Sequence, residues 1–219
     1  KYVEWLGTTN FGSYDDKMTN TFHKFSQGGN DYLIICVEYG PTKEIMEWAA
    51  GVAAANPNHN VIFATHSLVN HKADFSGYPD TWMPVNDFED AISEQVIWDE
   101  YLSEMPNLFL ALSGHISGYG LSTNVTYGDA GNKVYALRID PQTNFTRDVM
   151  GCFFRINGTD VDVYYYSVTK GKFYNGSNFT VDVPQAVATQ TGAAVERFVG
   201  FEGTLLTNTQ LDSTTVSYT

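Results

Sequence analysis

The chain has 219 residues, of which 43% are apolar and 17% charged. That is long enough for one good-sized packed domain and too apolar for bulk disorder. With 25 acidic against 12 basic residues the net charge is −13, which repels phosphate backbones and anionic lipid, so nucleic acid and membrane surfaces are not expected partners.

No stretch of about 18 apolar residues occurs, so no membrane span is expected. The opening Lys1-Tyr2-Val3-Glu4-Trp5 does not resemble a signal peptide and lacks an initiating Met. The expectation is therefore a processed or excised piece of a longer protein. Residues 1–30, with Gly7, Gly12, Gly28 and Gly29 among many polar residues, read as an irregular N-terminal segment. Leu33-Ile34-Ile35-Cys36-Val37 is a continuous apolar run of the kind that forms a strand buried on both faces. Gly40-Pro41-Thr42 follows, and Pro41 suits the first turn of a helix, where its missing N–H would be unpaired anyway. Ile45, Trp48, Ala49, Val52 and Ala53 recur at helical spacing until Asn56-Pro57-Asn58 stops the helix.

Val61-Ile62-Phe63-Ala64-Thr65 predicts a second buried strand, and a polar loop covers about residues 67–87. Phe88, Ile92, Val96 and Tyr101 mark a second helix ending near Pro106, and Leu108-Phe109-Leu110-Ala111-Leu112 a third strand. The order β-α-β-α-β implies parallel strands with right-handed crossovers. Past about residue 120, residues 134–139, 149–156, 161–168 and 179–183 are apolar or alternating segments divided by Asn, Gly, Asp and Thr clusters. They read as antiparallel hairpins. Residues 184–219 read as tail or linker with one further strand at about 197–201. The fold class is α/β: a parallel βαβαβ unit followed by antiparallel strands. The two cysteines, Cys36 and Cys152, exclude a Cys-rich zinc module and leave one disulfide or two buried thiols open.

Two histidines stand out by position. His66 directly follows the strand at 61–65, and His115 follows the strand at 108–112 after Ser113-Gly114. Open α/β sheets keep their sites outside the carboxyl ends of parallel strands. Two imidazoles there, with Gly114 allowing close backbone approach, suit a metal pair. The plainer alternative is that each bonds the backbone at a strand end. His71, five residues after His66, is the candidate for substrate contact at a pocket mouth, against a plain surface role. His59 reads as a solvated turn residue, and His23 receives no role. Glu38, at the carboxyl end of the first strand, either reaches the same crevice or, the better reading, makes a structural hydrogen bond to the next loop. The 67–87 loop, with Tyr78 and Trp82, reads equally as a cover over the crevice or as an uncommitted surface loop. No Gly-x-Ser-x-Gly elbow and no phosphate-binding loop with Lys-Ser/Thr occurs.

These segments resemble a family. Asp31-Tyr32-Leu33-Ile34-Ile35-Cys36-Val37-Glu38-Tyr39-Gly40-Pro41 with Trp48-Ala49, then Val61-Ile62-Phe63-Ala64-Thr65-His66-Ser67, look like the middle of calcineurin-like metallophosphoesterases. Ile97-Trp98, then Pro106-Asn107-Leu108-Phe109-Leu110-Ala111-Leu112-Ser113-Gly114-His115, resembles the approach to that family's Gly-His-x-His motif. Leu137-Arg138-Ile139-Asp140-Pro141-Gln142 and the hairpins after it look like its closing strands. The resemblance spans about residues 25–183 and makes 31–183 the C-terminal part of such a domain, a β-sandwich flanked by helices.

The resemblance implies hydrolysis of phosphate mono- or diesters by two divalent transition-metal ions (Zn, Mn or Fe), with His66 and His115 as ligands. Two departures accompany it. Ser117 stands where the second His of Gly-His-x-His would be, and no Asp-x-His, Gly-Asp-x-x-Asp or Gly-Asn-His-Asp precedes residue 30. The expected partners are a phosphate-ester substrate and a segment or chain supplying those motifs, with self-association left open. The alternative is an inactive phosphoesterase-like domain serving as an extracellular binding or assembly module, with the Tyr164-Tyr165-Tyr166 face either binding glycan or a neighbouring subunit or, the commoner role, packing one sheet face. Asn-x-Ser/Thr sequons at Asn124, Asn144, Asn157, Asn175 and Asn178, the acidic balance and few lysines point to a secreted or cell-surface setting.

Overall fold

The structure, a computed structural model, describes residues 8–75, 84–116, 121–140, 149–158, 160–173, 179–183, 198–199 and 205–206. It is a mixed α/β fold built on a large mixed sheet. Seven strands form that sheet: β1 (Phe11–Ser13), β2 (Thr21–Gln27), β3 (Asn30–Cys36), β4 (Asn60–Ala64), β5 (Leu108–Ser113), β6 (Leu121–Tyr127) and β7 (Lys133–Ile139), in the order β1-β2-β3-β4-β5-β7-β6. The four central strands β3, β4, β5 and β7 run parallel, and antiparallel pairs close both edges.

The apolar runs form the central strands because both of their faces are covered. Leu33, Ile35, Val61, Phe63, Ala111, Val134 and Ala136 point to one side. They pack there against Ile45, Met46, Ala49 and Ala53 of helix α1 (Lys43–Ala54), and against Ile97, Trp98 and Leu102. Tyr32, Ile62, Phe109, Leu110, Tyr135 and Leu137 point to the other side, onto Val161, Val163 and Val181 of a second sheet. In that sheet β9 (Asp160–Ser167) pairs along its length with β8 (Met150–Asn157). Its other edge carries β10 (Lys172–Phe173) and β11 (Phe179–Asp182), all antiparallel. Period-two alternation thus assigns residues of the central strands to a helix layer or a sheet layer, except in β5, where a register shift against β4 turns both Phe109 and Leu110 to the sheet layer.

Several expectations are corrected. Residues 11–13 and 21–27 are strands, not irregular chain: Gly28 and Gly29, both at positive φ, turn β2 back onto β3, and Phe25 stacks on Tyr32 at 5.0 Å. Pro41 lies outside α1, whose N-cap is Thr42. The second helix is shorter than its apolar spacing suggests. A four-residue turn α2 (Pro84–Asp87) precedes it, and α3 (Glu94–Ile97) starts only where the Ser93 hydroxyl accepts from the Val96 N–H. A π-turn, Trp98–Leu102, then carries the chain on. Phe88 therefore falls outside the helix and is 49% exposed. The polar edge strand β6 has no apolar run to announce it.

Beyond residue 183, β12 (Phe198–Val199) pairs with β13 (Leu205–Leu206), within the segment read as tail with one strand. Cys36 and Cys152 are free and half-buried, and burial raises both thiols, Cys152 to about 12, so neither is a ready thiolate. Among the described residues no helix is long and apolar enough to cross a membrane.

Candidate functional site

Strand pairing continues past the carboxyl ends of β3, β4 and β5 as a staircase of backbone bonds. Val37 N–H donates to the Ala64 carbonyl at 2.9 Å, Thr65 N–H to Leu112 at 3.1 Å, and Gly114 N–H to His66 at 2.9 Å. Each step delivers one side chain to the same rim: Tyr39 after β3, His66 after β4 and His115 after β5. The two imidazoles meet with ring centroids 4.8 Å apart. Tyr39 lies against both, edge-on to His66 at 5.3 Å and tilted on His115 at 4.8 Å.

Gly114 makes this approach possible, as its position in the sequence suggests. A Cβ there would lie 3.3 Å from the Ile139 carbonyl oxygen. The chain then turns tightly through His115, whose φ is +58°, with Ile116 N–H closing on the Gly114 carbonyl at 2.7 Å. A non-glycine residue in this region is strained and persists only where its surroundings hold it. Arg138 does part of the holding. It is 1% exposed, donates to the Ile116 carbonyl at 2.7 Å, and bonds the Ser122 hydroxyl through Nε and Nη2 at 3.2 and 3.0 Å. Burial lowers its pKa, partly offset by buried Asp140.

The electrostatics favour a neutral His66. Burial lowers its pKa below 6.5, the neighbouring His115 pushes the same way, and Asp140 opposes them. The Tyr39 hydroxyl is 2.9 Å from Asp87 Oδ2 and 3.2 Å from His115 Nε2. Burial first, then the Asp87 carboxylate, pushes the phenol well above its ordinary range, so it stays protonated. Behind His66, the Ser67 hydroxyl donates to Glu94 Oε1 at 2.7 Å. Glu94 is 2% exposed, and its second carboxylate oxygen is buried with no hydrogen-bond partner among the described residues.

His66 and His115 are thus brought together. His71 is exposed in the following turn, and its carbonyl accepts from the Ser122 hydroxyl of β6 at 3.1 Å. Glu38 is structural through its backbone: its N–H donates to Asn20 Oδ1 and its carbonyl accepts from the Thr65 hydroxyl. His59 is half-buried in its turn rather than fully solvated, and His23 packs on Phe11 across β1 and β2. Tyr78, Trp82, Ser117, Asn144, Asn175 and Asn178 lie outside the described residues. Asn157 is exposed at the end of β8, whereas the Asn124 amide donates to the Ala73 carbonyl at 2.7 Å.

Sequence reasoning missed Tyr39, Asp87, Arg138 and the Ser67–Glu94 pair. The one available signal was Arg138, a charge inside an apolar strand, which demands buried acceptors.

The donor set fits the imidazole part of a metal site and no more. Two neutral nitrogens suit Zn, Mn or Fe. Among the described residues, however, no group of three or more His, Cys, Asp or Glu side chains stands close enough to hold an ion. No model of a known protein family matches the chain, and no curated protein matches it either.

Proposed function

We propose that this chain is the C-terminal part of a calcineurin-like metallophosphoesterase, secreted or displayed at the cell surface, that hydrolyses a phosphate mono- or diester. One observation carries the reading: two imidazoles from different strands of one parallel sheet meet at 4.8 Å on its carboxyl rim. His66 and His115 would hold metal there, and the ions, when bound, would grip phosphate oxygens and acidify the attacking water. Burial keeps His66 unprotonated, with a lone pair for coordination. Tyr39 stays protonated and orients His115. His71 is the proposed outer contact to the substrate. The remaining ligands, carboxylates above all, come from outside the described residues, from a segment bearing motifs such as Asp-x-His and Gly-Asn-His-Asp.

A second reading, a catalytically inactive domain acting as a binding or assembly module, is favoured by the absence of a three-ligand group among the described residues and by Ser117. Turnover of p-nitrophenyl phosphate by the full-length protein, with Mn or Zn added, separates the two. The enzyme reading predicts turnover that is abolished in His66→Asn and in His115→Asn, the latter chosen because Asn tolerates positive φ. No turnover in the wild type, or undiminished turnover in both variants, selects the module.

A further inference from the structure

The Tyr39 hydroxyl has one proton, and both Asp87 Oδ2 and His115 Nε2 lie within hydrogen-bond distance of it. Asp87, a carboxylate, only accepts, so at 2.9 Å it takes that proton. At 3.2 Å from His115 Nε2 the phenol oxygen must then be the acceptor, and Nε2 carries the hydrogen. In the neutral ring the lone pair therefore sits on Nδ1.

The hydroxyl is held in place for this role. Its ring is packed by both imidazoles and by Phe88, edge-on at 5.8 Å. Asp87 is placed by the sequence around Gly40, whose φ is +69°. A Cβ at Gly40 would lie 2.9 Å from Phe88 Cδ2 and 3.1 Å from Pro84 Cβ, so only glycine lets α2 dock here. Ile92 N–H donates to the Pro41 carbonyl at 3.1 Å and closes the far side of the same segment.

We infer that Asp87 and Tyr39 are positioning residues for His115, a carboxylate–phenol–imidazole relay that fixes the Nε2–H tautomer and leaves the lone pair on Nδ1, the nitrogen that would coordinate a metal. Its purpose rests on the phosphoesterase reading above; the tautomer itself does not. Metal-bound histidines are commonly oriented through the nitrogen they do not coordinate with, and here a tyrosine stands between the ring and the carboxylate.

The test is long-range 1H–15N spectroscopy of the chelator-treated full-length protein at about pH 8, above the ordinary imidazole range near 6.5. His115 signals are assigned by their loss in His115→Asn. The wild type is expected to show N–H character at Nε2 and a lone pair at Nδ1. Tyr39→Phe keeps the ring but removes the acceptor, and is expected to give a tautomer mixture. Asp87→Ala frees the phenol proton for Nε2 and is expected to shift His115 toward Nδ1–H. An Nδ1–H wild type, or an Nε2–H signal unchanged in both variants with circular dichroism intact, overturns the relay. Titration of Zn2+ alone is expected to show about 10–100-fold weaker binding in Tyr39→Phe than in the wild type, and equal affinities overturn the metal-facing role. A wild type with the Nε2–H signature that binds no Zn2+ and turns over no p-nitrophenyl phosphate breaks the phosphoesterase reading instead, and so the two failures are distinguishable.

Discussion

The middle of the large sheet and its carboxyl rim are made by the same four parallel strands, yet they obey opposite rules. In the middle, Leu33, Ile35, Phe63, Leu108 and Ala136 are fully buried in one apolar cluster shared with the helix layer. At and just past their carboxyl ends, the same strands deliver Tyr39, His66, His115, Arg138 and Asp140, and polarity is concentrated instead of excluded. Backbone bonds and buried side chains built into the strands keep the rim in register, and this is what allows strain at His115 and an unpartnered oxygen on Glu94 to persist. Apolar packing is concentrated in the middle and polar side chains at the end.

Breaking the middle should have the largest effect. Phe63→Ala removes a fully buried ring and is expected to lower unfolding stability by about 3–5 kcal/mol, read as a lower urea midpoint at an unchanged slope. Arg138→Met comes next, because it leaves the Ile116 carbonyl and Ser122 hydroxyl without their donor. A loss of about 2–3 kcal/mol is expected, together with displaced His115 imidazole signals that Phe63→Ala does not produce. Equal His115 shifts in the two variants would show that rim and middle are not separable.

Ser67→Ala acts wholly at the rim. It takes away the hydrogen bond that the Ser67 hydroxyl donates to the buried Glu94 carboxylate and should lower stability by about 1–3 kcal/mol. No change would mean that Glu94 is held by something other than Ser67.

The smallest effect is a slope. Burial holds His66 and His23 below 6.5 in the folded state, so as pH falls the unfolded chain takes up their protons first. Stability should therefore fall as pH drops from about 6.5, and level off below the lowered folded pKa values. The His23→Gln, His66→Gln double variant should flatten that limb, and an unchanged limb would contradict the burial account.

Much of the middle could be read from the sequence, because a strand buried on both faces writes itself as an unbroken apolar run. Residues 61–65 and 108–112 lie within one residue of the observed strand ends, and 33–37 matches the carboxyl end of β3 but starts three residues late, where polar Asn30 and Asp31 open the strand. Edge strands write no such run. In β2, polar His23, Lys24 and Ser26 interrupt the apolar pattern, and in β6 Ser122, Thr123, Asn124 and Thr126 face a half-wet surface. The break between α2 and α3 was hidden because Phe88 and Ile92 mimic helical spacing, while the start of α3 is set by a single serine cap.

At the rim, His66 and His115 were visible from position alone, since a residue just past a parallel strand has few other places to go. Tyr39, Asp87 and Arg138 were not, because their roles exist only once three strand ends and the α2 turn come together.

The most direct test of the central claim is the metal content of the purified full-length protein beside its His66→Asn and His115→Asn variants, by elemental analysis after exposure to Zn and Mn. Bound transition metal in the wild type that falls in each variant, with the fold intact, is the predicted result. No bound metal in any of the three, or the same content in all, would contradict it.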